Sequence, residues 1–278
     1  MKRYLLLLSA VFLVLSVRAQ QLYQYIEQAY EKQYSYGDKC KDFFAYKIMD
    51  SSQTKSGKVY YLVLYVQGYK LKDGLLQECS STFTPAVLEI PSDSVVPMLF
   101  LPAEGEDYSA SIRKLFPPQL QTSAFEFYRL MDVDRAKHKT LHLARNYFSL
   151  IPVKIYYPAD TEIYDSLYNA YVNGIAKNPA DKVKFNYDLV YLPKTPDIKR
   201  QAALMAYKKF PPFGNPDNAS IVYFKQVADT VYILINADVD GWAGVSYFLA
   251  KVRPIIEKTL YQFYDVHKVV WDKAPEDK

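Results

Sequence analysis

The chain has 278 residues, with 34 lysines and arginines against 30 acidic residues, and half of it is apolar or aromatic, which excludes a disordered protein. Lys2, Arg3 and Arg18 fall within the first 19 residues, so the remainder carries 31 basic against 30 acidic groups. Its formal charge is then about +1 rather than +4, and a nucleic-acid-binding protein, which needs clustered basic residues on one face, is excluded.

The first stretch, MKRYLLLLSAVFLVLSVRAQQ, reads as an export signal over residues 1–19: two basic residues, an apolar core from Tyr4 to Val17, then Val17-Arg18-Ala19 as a cleavage pattern. The core is shorter than the roughly 20 residues of a membrane span. Cleavage after Ala19 or Gln20 is expected, with no transmembrane segment in the mature chain and a periplasmic or extracellular location. In LYQYIEQAYEKQYSY, Leu22, Tyr25, Ile26, Ala29 and Tyr30 stand at helical spacing ahead of Gly37.

Four apolar, aromatic-rich runs follow, at 43–49, 59–66, 74–83 and 85–90, separated by the polar segments SSQTKSGK and KLKDG. They predict an antiparallel meander. SVVPMLFL at 94–101 reads as a further strand whose Pro97 favours an edge or a bulge. A short helix is expected over 108–116, stopped by Pro117 and Pro118, then a longer one over about 122–147. Cys40 and Cys79 are the two cysteines of a chain bound for an oxidising compartment, which makes them a candidate disulfide; two buried free thiols are the alternative.

Pro152 marks a boundary. Beyond it the patterns predict a strand at 153–157, a helix in TEIYDSLYNAYVNGIAK, a strand at 185–192 and a helix in DIKRQAALMAYKKF closed by Pro211 and Pro212. Two strands then flank a tight Ala228-Asp229 turn, the second expected to be buried on both faces. A long helix in VSYFLAKVRPIIEKTLYQF, kinked or restarted at Pro254, leads to a closing strand at 266–271.

Residues 152–271 resemble the GerMN (GerM-type, sporulation and spore germination) domain. The features that carry the resemblance are the first strand VKIYY, the helix DIKRQAALMAYKKF, the paired strands VYFKQVADTVYILINA and the helix-to-strand ending IIEKTLYQFYDVHKVVW. NADVDGWAGVS replaces that family's usual segment after the second paired strand, and TEIYDSLYNAYVNGIAK lengthens the first crossover. The resemblance implies a non-catalytic module of envelope assemblies, hence interaction rather than turnover. Residues 43–148 resemble an uncharacterised bacterial extracytoplasmic module through KVYYLVLYVQGYKLKDGLLQECSSTFTPAVLEI, DYSASIRKLFPPQL and ARNYF.

The most chemically suggestive stretch is NADVDGWAGVS. Asn236, Asp238 and Asp240 occupy alternate positions with Gly241 next, as a calcium loop begins, but position twelve is Tyr247 rather than glutamate. The favoured reading is a strand-to-helix turn at Asp240-Gly241, with Trp242 packed back on the sheet and Ser246 starting the next helix; a weak cation site and a protein or glycan contact are the alternatives. Asp134, His138 and His142 share one helix face, yet HKTLH lacks the glutamate of a metalloprotease motif, so a solvated face is expected. His267 stands alone, and Asn218-Ala219-Ser220 is a glycosylation sequon or a polar turn. No nucleophile elbow, phosphate-binding glycine loop or C-x-x-C is present.

These readings describe an α+β protein. A signal occupies residues 1–19, a helix plus antiparallel-meander module 20–150, and a GerMN-like α/β domain 151–278. The expected function is that of an exported, non-catalytic cell-envelope protein that binds a protein partner or cell-wall glycan, with no cofactor, no catalytic residue and no metal ligand. Asn236, Asp238, Asp240, Gly241 and Trp242 are its candidate binding residues. The alternative is a secreted hydrolase or weak metal-binding protein using the Asp238–Trp242 loop.

Overall fold

The computed structural model describes residues 19–34, 40–92, 96–172 and 183–271. The expected export signal, apart from Ala19, and the helix predicted after Thr161, beyond residue 172, lie outside them. The chain is α+β and divides into two units, residues 1–148 and 149–278.

In the first unit a helix over residues 19–34 (α1) precedes an antiparallel sheet of Lys41–Thr54 (β1), Gly57–Lys72 (β2), Leu75–Pro91 (β3) and Met98–Phe100 (β4), in the order β1-β2-β3-β4. The two runs predicted at 74–83 and 85–90 are one strand. Pro85 sits opposite Val63 in β2, at a point of β3 that β4, paired only from Val87 to Glu89, does not reach, so the missing N–H breaks no bond to β4. Both sheet faces are covered. On one, Leu22, Ile26 and Ala29 of α1 pack on Phe44, Leu62, Leu64 and Leu88. On the other lie helices Tyr108–Leu115 (α2), Pro118–Phe125 (α3) and Val133–Tyr147 (α4), whose Ile112, Ala124, Ala136 and Ala144 join clusters with Val87, Ala45, Tyr65 and Phe43. This explains why β2 is buried almost without interruption from Leu62 to Tyr69.

The single helix expected over 122–147 is therefore two. Pro118 opens α3 at its first turn, where a missing N–H costs nothing, and Asp132 caps α4 by accepting from Arg135 N at 3.1 Å. Cys40 and Cys79 are joined by a disulfide, their Cα atoms 6.5 Å apart. The bridge passes over β2 at Gly68, where an added Cβ would meet Asp42 Oδ1 at 3.0 Å and Cys79 Cβ at 3.3 Å.

The second unit holds two small sheets. Leu150–Pro158 (β5) pairs antiparallel with Phe185–Pro193 (β6) across the helix Thr161–Val172 (α5). Ile221–Val227 (β7) pairs antiparallel with Thr230–Ile235 (β8), which pairs parallel with Lys268–Trp271 (β9). Between β8 and β9 run a five-residue helix, Asn236–Asp240 (α7), and Val245–Leu260 (α8). Pro254 lies inside α8, which continues through it as one helix instead of restarting.

Helix Ile198–Lys209 (α6) presents Ala202, Ala203 and Ala206, all fully buried, and these small residues let it pack closely with α8. The core joins Val153, Ile155, Tyr164, Tyr168, Val231, Ile233, Val252 and Ile256. β8 is not buried on both faces. Val231, Ile233 and Ile235 point into the core while Thr230, Tyr232 and Leu234 are half-buried, so the strand alternates after all, its other face only partly covered.

Candidate functional site

The NADVDGWAGVS stretch departs from β8 as one helical turn rather than as an open loop, and that geometry decides what its side chains can do. A helix turns about 100° per residue, so alternate positions no longer share a face as they would in an extended segment. Asp238 folds back: Oδ2 accepts the Ile235 N–H at 2.8 Å, satisfying an orphan donor at the helix start, and Oδ1 accepts Arg253 Nη2 at 2.8 Å. Its side chain is only 1% exposed. The Arg253 guanidinium in turn lies over the Trp271 ring, 5.1 Å from its centroid, and Trp271 Nε1 donates to Glu257 Oε1 at 2.6 Å.

Asn236 is similarly committed. Its Oδ1 accepts from Tyr207 Oη at 2.9 Å and Ser220 N at 3.1 Å, and its Nδ2 donates to Asn218 O at 3.0 Å and Asp240 Oδ2 at 2.9 Å. Four hydrogen bonds use the full capacity of one side-chain amide. Burial pushes the Tyr207 hydroxyl well above the usual phenol range, which keeps it a neutral donor to Asn236. Asp240 is exposed, and Gly241 ends the turn in the left-handed region at φ 56°, a position that favours glycine.

Asn236, Asp238 and Asp240 thus form a polar knot that pins the turn to the segment 218–220, to α6 and to α8, and they do not converge on one point. Among the described residues no group of three or more histidine, cysteine or acidic side chains could hold a metal ion. Asp134, His138 and His142 lie on the exposed face of α4, where His142 Nε2 meets Asn146 Nδ2 at 3.1 Å. His267 is exposed beside the β7–β8 turn, its backbone N–H donating to Asp229 O. Asn218 of the sequon is part of the knot through its carbonyl, and its Nδ2 reaches Pro212 O at 3.4 Å.

Trp242 does not pack back on the sheet. Its ring stands 4.8 Å from Phe213 and 5.4 Å from Phe248 of α8, and Phe248 continues to Tyr207 at 6.1 Å. Ser246 is the second residue of α8, whose start is capped by Gly244 without a side-chain bond. Four rings therefore run from the buried Tyr207 to the surface, where Phe213 is 75% exposed.

Phe213 was not among the residues that the sequence singled out. It sits in PPFGNP with φ 54° and ψ 24°, a left-handed conformation costing a residue with a side chain roughly 1–2 kcal/mol. Pro211 and Pro212 before it and Pro216 after it restrict the loop, and this proline density was the available signal.

No family model, no curated protein and no solved structure matches this chain. No helix among the described residues is long and apolar enough to cross a membrane.

Proposed function

We propose that this is an exported, non-catalytic cell-envelope protein that binds a protein partner or a cell-wall component, and that the Phe213–Trp242 ledge of the second unit makes the contact. The observation that carries this reading is Phe213: a large ring, 75% exposed, held in a strained backbone conformation and backed by a second ring at 4.8 Å. Stacking on Trp242 offsets only part of the conformational cost of that exposed ring, while ring faces suit both sugar C–H groups and apolar side chains. The GerMN-type reading of residues 152–271 belongs to the same proposal, since that module implies interaction. Export is supported by the signal pattern of residues 1–19 and by the Cys40–Cys79 disulfide, a bond that persists in oxidising compartments. The hydrolase or metal-binding alternative is not favoured: Asp238 is sealed against Arg253, and Asn236 has no bonding capacity left for a ligand.

The test immobilises the chain from Gln20 onward over solubilised envelope of its source cell and compares it with Phe213→Gly and Trp242→Ala. Retention of one saturable component that both variants lose, and that EDTA and Asp240→Ala leave unchanged, is the expected outcome. Retention that survives both ring variants, or that EDTA abolishes, overturns the reading. Asp238→Ala is unsuitable here because it also breaks the buried pair.

A further inference from the structure

The first unit carries a second feature that the proposed ledge does not use. Along the open edge of β1, beside the start of α4, lies a cleft of about 500 Å³. Its polar lining is lopsided: Lys47 from β1 and Arg135 and Lys139 from α4 face it against one carboxylate, Asp132. That carboxylate caps α4 through Oδ1 and cannot neutralise three cations. Lys47, Arg135 and Lys139 form no ion pair among the described residues.

Lys139 holds its ammonium 5.1 Å from the centroid of the Tyr46 ring. Partial burial lowers its pKa. The chain outside residues 1–19 is close to neutral, so general basicity does not account for three cations lining one cleft. The rest of the lining is apolar and aromatic, with Tyr46 and Met131 prominent. The size lies within the range of small-molecule sites, roughly 300–1,000 Å³.

We propose that this cleft binds a phosphate monoester with an apolar or ring-bearing body, the phosphate held by Lys47, Arg135 and Lys139 and the body resting on Tyr46 and Met131. A phosphate offers two negative charges and acceptor oxygens that a guanidinium engages in pairs, which suits an arginine beside two lysines better than a lone carboxylate does. The site lies in the other unit from the Phe213–Trp242 ledge and stands independently of that reading.

Phenyl phosphate is the probe, titrated by calorimetry or NMR into the chain from Gln20 at low salt, with phenol and inorganic phosphate as comparators. Phenyl phosphate binds more tightly than either comparator, and its affinity falls as sodium chloride is added. The double variant Arg135→Ala/Lys139→Ala weakens it by roughly tenfold or more, about 1.4 kcal/mol, with the far-UV spectrum unchanged because both residues are exposed. Lys47→Ala has a smaller effect in the same direction. Vesicles of phosphatidylcholine with and without phosphatidic acid distinguish the source: acid-dependent cosedimentation lost in the double variant assigns the ester to a lipid headgroup, and its absence assigns it to a soluble ester. Binding no tighter than that of phenol, or binding unaltered in the folded double variant, overturns the proposal.

Discussion

The two units brace themselves by different means. The first is a single sheet with helices on both faces and a covalent strap across its central strand; the second divides its strands between two small sheets and fastens the connection from β8 to α8 with the Asn236 and Asp238 knot. A disulfide acts chiefly by restricting the unfolded chain, whereas a buried ion pair acts within the folded state and penalises the loss of either partner. Conditions that disturb one unit should therefore leave the other largely intact, and Trp242 and Trp271 make that separable, because the chain's two tryptophans both belong to the second unit.

Reducing the Cys40–Cys79 bridge should have the largest effect. A closed loop with a sequence separation of 39 corresponds to about 4 kcal/mol in the loop-entropy model. Hydrogen exchange in β1 to β3 should accelerate while the urea midpoint of tryptophan fluorescence stays fixed; movement of both together breaks the comparison. Next comes Asp238→Ala, which removes the carboxylate from Arg253 and the acceptor from Ile235 N–H and should cost the second unit about 3 kcal/mol, read as a lower fluorescence midpoint with hydrogen exchange in β1 to β3 unchanged.

A pH series sharpens the contrast further. Burial raises the Glu257 carboxyl above its ordinary value of 4.5, against the opposing pull of Trp271 and Arg253. The folded state then binds this proton more tightly than the unfolded state, so the second unit loses stability as pH rises upward from 4.5. Glu257→Gln should flatten that slope in the fluorescence midpoint; an unchanged slope rules out Glu257 as its source. Asp265 works in the other sense. Lys199 holds its carboxyl below 3.8, and the stability it contributes disappears as pH falls beneath that value.

The smallest effect belongs to Phe213→Gly. Relief of roughly 1–2 kcal/mol of backbone strain is partly offset by loss of about 0.5–1 kcal/mol of ring stacking, so the midpoint should move by about 1 kcal/mol or less although envelope retention is lost. A drop of several kcal/mol would instead give Phe213 a structural role.

Much of this architecture is legible as pattern. The meander follows from its apolar runs, and α1 from the spacing of Leu22, Ile26 and Ala29. The break between α3 and α4 was present in the sequence as Asp132 ahead of Val133, but a local cap is easily overridden by an apparent continuous helix when each is weighed alone. The runs predicted at 74–83 and 85–90 join through Pro85 for a non-local reason: whether a strand tolerates proline depends on what lies on the other side of it, and only the short span of β4 settles that.

The site was less readable still. Asn236, Asp238 and Asp240 look like ligands while their spacing is judged as an extended loop, and they become struts once the segment coils into α7. Arg253 and Ser220, which engage them, lie 15 residues after Asp238 and 16 before Asn236. The pairing of Lys47 with Arg135 and Lys139 is invisible for the same reason, because it joins a strand to a helix some 90 residues away.

The strap over Gly68 has a mechanical consequence. β1 and β2 lie entirely inside the covalent ring closed by Cys40 and Cys79, so tension applied along the chain passes through the sulfur bridge and leaves that hairpin unloaded. Stretched between its ends, the oxidised chain should come up short by roughly 13 nm of contour, the length of the 39-residue separation at about 3.4 Å per residue. Reductant releases that hidden length, and a protease cut anywhere within the hairpin leaves both pieces tied together until it does.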